Sequence, residues 1–149
     1  MELTIREARV QDLTSVHRIE LSSYPDPWPR SLFYLMRGRA PGLFLVADIV
    51  GEVVAYAIGE VEWKMGERVG HVMNIAMAEN RRRQGIASRL MDELERRFIE
   101  RGATTCYLEV RVTNVAAQAL YRKRGYMELG LLLGYYHDED GLAMEKPLP

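Results

Sequence analysis

One junction constrains this chain more than any other. An apolar run, Val69–Met77, breaks at the polar turn Ala78-Glu79-Asn80-Arg81-Arg82-Arg83-Gln84 and resumes as an amphipathic helix. In that helix Ile86, Leu90, Leu94 and Phe98 recur every four residues, Met91 widens the stripe and Gly102 ends it. A second β-forming run, Thr105–Val112, follows. Strands joined through a helical crossover lie parallel in one sheet, so this stretch predicts a β-α-β unit.

The remaining elements build around that unit. Alternation over Leu3–Ala8 predicts a strand. Val10, Leu13, Val16 and Ile19 then recur at helical spacing, with Asp12 as a candidate cap. The segment Tyr24-Pro25-Asp26-Pro27-Trp28-Pro29 cannot be regular helix, because its prolines fix the backbone and remove donors. Pro29 is placed to open a second helix through Ser31–Arg37, ended by Gly38. Strands are expected at Leu43–Ile49 and Val53–Val61 ahead of Val69–Met77, with hairpin turns at Val50-Gly51 and Lys64–Gly66. After Thr105–Val112, Asn114 caps a helix over Val115–Arg124 that stops at Gly125, and strands near Tyr126–Leu133 and Leu142–Lys146 close the chain. The expected class is α/β, a mixed (α+β) sheet with helices on both faces, in the order β-α-α-β-β-β-α-β-α-β-β.

Composition narrows what such a domain does. The 149 residues suit one domain with a core of its own, and 20 basic against 21 acidic residues give a charge of −1. A non-specific nucleic-acid binder is markedly basic, so RNA binding by Arg81–Arg83, Arg89, Arg96, Arg97 and Arg101 is disfavoured, and no stacking aromatics lie beside these arginines. Cys106 is the only cysteine, which excludes an intrachain disulfide and a multi-cysteine zinc site, and His17, His71 and His137 lack metal-ligand spacing. No metal is expected. The first residues, MELTIREARV, lack the apolar core of a signal peptide, and no apolar run approaches the ~20 residues of a membrane span. A cytoplasmic monomer or homodimer is the expectation.

The arginine-rich junction itself has the chemistry of a phosphate cradle. A helix N-terminus offers unpaired N–H groups and partial positive charge, Gly85 and Ala87 allow close backbone approach, and the arginines add counter-charge. A Walker loop is absent. The plain alternative is a solvated helix start.

Two strings carry a resemblance. Arg82-x-x-Gly85-x-Ala87 resembles the Q/R-x-x-G-x-G/A motif of the GNAT superfamily of N-acetyltransferases, and the element order fits that fold. Leu108-Glu109-Val110-Arg111-Val112-Thr113-Asn114, then Ala119-Leu120-Tyr121 and Gly125-Tyr126, resemble the RimI-type protein N-terminal acetyltransferases and their archaeal relatives. Arg18-Ile19-Glu20 and Pro27-Trp28 fit the RimI-type first helix and loop. The Pro-Glu-Asn-Tyr of the other N-terminal acetyltransferase branch is missing.

The resemblance implies transfer from acetyl-CoA to the α-amine of a protein, such as a ribosomal protein with N-terminal alanine or serine. Backbone amides of Arg82, Arg83, Gln84, Gly85, Ile86, Ala87 and Ser88 would hold the pyrophosphate. Ile75, Ala76 and Met77 would pair with the pantetheine arm as with an added strand, and Asn114 would contact the cofactor or simply cap its helix. Glu109 takes the place of the general base and Tyr121 that of the acid for the thiolate. Their plain alternatives are a carboxylate paired with Arg111 or another arginine, and a core tyrosine. His71, opening its strand, is a lesser candidate for base or proton shuttle. Tyr24, Trp28, Tyr135 and Tyr136 are candidate walls for the substrate peptide. Cys106 falls on the strand face opposite Glu109, which argues for direct transfer rather than a covalent cysteine intermediate. Two readings compete: acetylation of lysines or small amines on the same fold, and a non-catalytic acyl-CoA-binding module.

Overall fold

The computed structural model describes residues 2–149. Its elements are β1 (Leu3–Glu7), α1 (Leu13–Ser23), α2 (Arg30–Arg39), β2 (Phe44–Ile49), β3 (Glu52–Lys64), β4 (Glu67–Met77), α3 (Ile86–Glu100), β5 (Thr105–Arg111), α4 (Val115–Lys123), β6 (Met127–Leu132) and β7 (Gly141–Pro147). The strands form one sheet in the order β1-β2-β3-β4-β5-β7-β6, antiparallel except for the parallel β4–β5 pair. This is the expected mixed sheet, and the helical crossover through α3 is its parallel connection.

Local chemistry sets the boundaries. Both hairpin turns, Val50-Gly51 and Met65-Gly66, place two residues at positive φ, the geometry that matches strand twist in two-residue hairpins. Helix α2 runs through Gly38 to Arg39, beyond the expected stop. Gly38 is not among the positive-φ glycines, so it continues the helix, and the chain breaks only before Pro41. Residues Val10–Asp12 form a 3-10 turn rather than the start of α1. Asp12 therefore does not cap α1. Its carboxylate reaches back to the Arg9 amide at 2.7 Å and the Arg6 guanidinium at 2.7 Å.

Two apolar layers sandwich the sheet. On one face Leu13, Val16 and Ile19 of α1 and Phe33 and Met36 of α2 pack on Phe44, Val46, Tyr56 and Ile58. On the other, the α3 stripe Ile86, Leu90, Met91, Leu94 and Phe98 packs on Leu45, Ala55, Ala57, Cys106 and Leu108. Each fully buried side chain of this size contributes roughly 1.5–3 kcal/mol. The position of α3 depends on two glycines: a Cβ on Gly59 or Gly70 would lie 2.5 or 2.4 Å from the Phe98 ring. Their missing side chains let the ring settle on β3 and β4.

Two irregularities then create the site. The β3–β4 register steps from Ile58↔Asn74 to Gly59↔Val72, which leaves Met73 as an extra, bulged residue. Strands β4 and β5 pair over Val69–Val72 and Thr105–Leu108. Past those residues they part, β4 running on to Met77 and β5 to Arg111.

Candidate active site

At the point of divergence a carboxylate and an imidazole meet. Glu109, one residue beyond the last β4–β5 pair, has its Oε1 within hydrogen-bond reach of His71 Nε2, at 2.7 Å. His71 Nδ1 lies 3.1 Å from Glu62 Oε2 on β3. The Tyr107 ring stands edge-on to His71 at 5.2 Å. His71 is thus an interior residue of β4, which begins at Glu67, and not a strand opener. Its side chain is 11% exposed, as is that of Glu109.

Burial opposes charge on both partners, and the pair overcomes it. Burial works to lower the His71 pKa, but the hydrogen bonds and charges of Glu109 and Glu62 raise it above the ordinary value. Burial works to raise Glu109, yet His71, with smaller help from Tyr135 and Tyr107, holds it below the usual carboxylate range. The plain alternative for Glu109, a pair with Arg111, does not occur. Arg111 instead bonds Asp138 at 2.6 Å and Glu139 at 3.1 Å and stacks on Tyr136 at 4.4 Å. It pins the β6–β7 loop, with Tyr135 and Tyr136 edge-to-face at 5.0 Å, against the end of β5.

The aromatic candidates divide between this gap and the core. Tyr24 donates its hydroxyl to the Ile75 carbonyl, so that carbonyl already has a partner on the strand stretch expected to pair with pantetheine. Ala76 is buried; Ile75 and Met77 are half-buried. The Trp28 ring packs on Phe33 at 5.4 Å and its amide donates to Glu20 at 2.8 Å, so Trp28 holds the proline-rich loop to the α1–α2 layer. Tyr121 is buried and edge-on to Tyr126 at 5.6 Å. Its phenol is raised first by burial and then by Tyr136; that of Tyr24 is raised by burial and then by Tyr121. The expected match between a phenol of ~10 and a thiol of ~8.5 is therefore widened by burial.

The turn before α3 has the geometry of an anion cradle. Arg82, Arg83, Gln84 and Gly85 are exposed, and Arg83 and Gly85 adopt positive φ of 64° and 77°. Ile86 and Ala87 turn their side chains into the core, so only their backbone faces outward. Among the described residues no side chain caps α3, in contrast to α4, where Asn114 accepts from the Ala117 amide at 3.2 Å. The first-turn N–H groups of α3 keep their capacity for an anion. A Cβ at Gly85 would meet nothing within 4 Å, so the approach to the turn is open. Ser88, also expected at the cofactor, has its hydroxyl and carbonyl engaged by Arg124 at 3.1 and 3.2 Å.

In the sequence Glu62 goes unread, Glu20 stands out only as part of the resemblance, and Arg111 only as a partner for Glu109, not as a loop anchor. Glu20, 1% exposed, accepts from Tyr56, from Asn74 at 2.9 Å and from the Trp28 amide. For Glu62 a signal existed. The two-residue turn Met65-Gly66 fixes the β3–β4 register, placing Glu60 opposite His71 and Glu62 two residues along the same face. Cys106 is buried and its thiol pushed up to about 12 by burial, the opposite of a reactive thiolate.

Known proteins resemble this chain in sequence and fold. The chain matches the Acetyltransferase (GNAT) family over residues 13–126. The N-alpha-acetyltransferase of Saccharolobus solfataricus is 35% identical over 158 aligned positions, covering 99% of this chain and 94% of that protein. The ribosomal-protein bS18-alanine N-acetyltransferase of Escherichia coli is 32% identical over 138 positions, covering 93% and 90%. The crystal structure of Ard1 from Thermoplasma volcanium superimposes with a TM-score of 0.93 at 29% identity, over 100% of this chain and 99% of that one. With its split sheet and uncapped arginine-rich turn, the chain belongs to the GNAT family and is an acetyltransferase.

Proposed function

We propose that the enzyme moves the acetyl group of acetyl-CoA directly to the free α-amino group of a protein N-terminus. The observation that carries this reading is the Glu109–His71 pair at the β4–β5 divergence. An α-ammonium has a pKa of ~7.7–8.0, against ~10.4 for lysine, so a modest acceptor suffices for the first and serves the second poorly. Glu109, held below the usual carboxylate range, is ionised throughout the working pH and receives the amine proton directly or through one water. His71, raised above its usual value, is the better-matched base and takes the proton on. The names of the relatives in Saccharolobus and Escherichia point to the same substrate class.

The other groups fit acetyl-CoA as cosubstrate. The uncapped start of α3, with Arg82 and Arg83 beside it, suits the pyrophosphate, and the diverging edge of β4 suits the amides of the pantetheine arm. Acetyl-CoA supplies an activated thioester; the chain supplies position and proton transfer. Tyr121 stays protonated at working pH because burial raises its phenol. Its role is to donate a hydrogen bond to charge developing on the departing sulfur, a transition-state effect worth on the order of 10²-fold or more. Tyr24, Tyr135 and Tyr136 line the amine's approach, the last two on a loop anchored by Arg111. A RimI-type preference for a ribosomal protein beginning with alanine or serine is the finer form of the proposal.

The test is a set of peptides that each carry an internal lysine, with the N-terminus free in one series and blocked in the other, over all twenty first residues. Mass spectrometry is expected to place the acetyl group on the α-amine of the free series only. Modification of the internal lysine with equal efficiency in both series overturns the assignment.

A further inference from the structure

The pair at the divergence has a third member, and it lies toward solvent. We infer that Glu62 is a proton-relay residue: it takes the amine proton from His71 Nδ1 and hands it to solvent on the β3 side of the sheet. The inference rests on the N-terminal acetyltransferase reading above.

The geometry is a continuous chain. Glu109 Oε1 lies 2.7 Å from His71 Nε2, and His71 Nδ1 lies 3.1 Å from Glu62 Oε2. Exposure rises along it, from side chains 11% exposed at Glu109 and His71 to 26% at Glu62. The inner end faces the divergence, and the outer end meets Lys64 Nζ at 3.5 Å at the exposed tip of the hairpin. A carboxylate kept only to fix the ring needs no such exit. Glu20, the fully buried carboxylate of this layer, is closed by Tyr56, Asn74 and the Trp28 amide.

A relay also resolves a mismatch in the primary acceptor. A carboxylate is a much weaker base than an α-amine (~4.3 against ~7.7–8.0), so a proton resting on Glu109 returns readily to the amine. Transfer becomes productive when the proton moves on. In the balanced step, the N–H bond of the ammonium breaks as an O–H bond forms on Glu109. The Glu109 proton goes to Nε2 of neutral His71, while the Nδ1 proton leaves for Glu62 and then for a solvent base. The neutral amine keeps its lone pair and attacks the thioester carbonyl; no oxidant or reductant takes part. Once product has left, protonation of Nδ1 from solvent and loss of the Nε2 proton through Glu109 to water restore the starting tautomer.

The relay requires neutral His71 at the start, so it closes as pH falls and the ring becomes an imidazolium with both N–H groups committed. The charged and titratable groups around the ring are Glu62, Lys64 and Glu60 of β3, the last paired with Arg39 of α2. Tyr107 and Glu109 of β5 and Tyr135 of the β6–β7 loop complete the set.

The test compares wild type, Glu62→Gln and Glu62→Asp on one lysine-free peptide with a free N-terminus, measuring kcat across pH with and without added imidazole or formate buffer. Glu62→Gln is expected to lower the alkaline plateau of kcat about tenfold, short of the 10²–10⁴ that a group touching the reacting proton supplies. The added buffer base is expected to restore most of it, and KM to stay near wild type. Glu62→Asp is expected to retain more activity than Glu62→Gln. The acid limb should move to lower pH in Glu62→Gln, because one of the two carboxylates that raise His71 is gone; NMR titration of the His71 ring reads this without turnover. An unchanged plateau, or a loss that buffer does not rescue in a folded variant with a shifted His71 pKa, overturns the relay. If wild type transfers no acetyl group to any free N-terminus, the substrate reading falls and the relay falls with it. An active wild type beside an indifferent Glu62→Gln overturns the relay alone.

Discussion

Two carboxylates are buried against this sheet in clusters of similar composition and opposite design. Glu95 of α3 is enclosed by the Tyr126 hydroxyl at 2.6 Å, Lys146 Nζ at 2.7 Å and the Arg124 guanidinium at 3.2 Å. Arg124 also holds Asp92 and the first turn of α3 through Ser88, and Lys146 donates to the Arg124 carbonyl at 3.0 Å. Glu109 has one close partner, His71, and stands where two strands leave one another. Glu95 is met by two cationic side chains and a phenol, whereas the close partner of Glu109 is a single imidazole, which changes charge near neutral pH. A carboxylate closed by cations ties α3 to β7 and to the chain around Arg124 and Tyr126; one left with an imidazole where two strands part is the one we propose to handle protons.

Removing each carboxylate sharpens the contrast. Glu95→Ala leaves Arg124, Lys146 and Tyr126 without their shared acceptor, and loss of one partner of a buried ion network costs roughly 3–5 kcal/mol. The expected result is a Tm lower by several degrees, read by calorimetry, with kcat per folded molecule near wild type. Glu109→Gln should do the reverse: kcat falls at least ~10²-fold, about 2.7 kcal/mol of transition-state stabilisation, with acetyl-CoA affinity unchanged by calorimetric titration. Tyr121→Phe should match it in kcat. Near-normal kcat in both variants would move proton handling to His71 and water alone.

The paired and parted halves of β4–β5 give a second contrast. Gly70, in the paired half, has Phe98 against it; Gly85, beyond the parted half, has open space. Gly70→Ala must displace a buried ring held by α3, and overpacking of this kind costs about 1–3 kcal/mol, visible in urea denaturation. Gly85→Glu meets nothing sterically. At φ 77°, however, any side chain is strained, and a negative charge opposes a phosphate, so acetyl-CoA affinity should drop at least about tenfold. Unchanged affinity would place the anion site elsewhere.

The smallest effect is one of pH. His71 is raised in the fold, so its contribution to stability is complete below its unfolded pKa of ~6.5 and is lost as pH rises through the folded value. Glu109 is lowered, so its contribution is present above ~4.3 and lost as pH falls through the folded value. Both act together between about pH 4.5 and 6.5. His71→Gln should therefore lower Tm most near pH 6 and least at pH 9. A penalty independent of pH would mean that the ring contributes by packing alone.

Much of this architecture was legible one strand at a time. Apolar patterning located most strands and helices, because most bury one face in the core; α2 is marked by Pro29 and α4 by Asn114, and β6 is exposed along almost its whole length. The boundaries failed where a local rule had a non-local competitor. Gly38 stays helical because the chain beyond it is not turned until Pro41, and the Asp12 carboxylate is drawn back to Arg6 and Arg9. At the site, Glu109 stood out as a charge in a β-forming run, but its partner lies 38 residues away across a parallel pairing that no turn fixes. The parallel register that pairs His71 with Tyr107, two residues before Glu109 on the same face, has no local signature, and neither do the bulge at Met73 and the strand divergence.

The claim at the centre is that Glu109, through His71, accepts the proton of a substrate α-amine. It is tested most directly by the pH dependence of kcat for wild type and Glu109→Gln on a lysine-free peptide with a free N-terminus at saturating acetyl-CoA. A deficit of at least ~10²-fold is expected near pH 7, narrowing above pH ~8 as the amine deprotonates unaided. A Glu109→Gln profile that overlays wild type at every pH would contradict it.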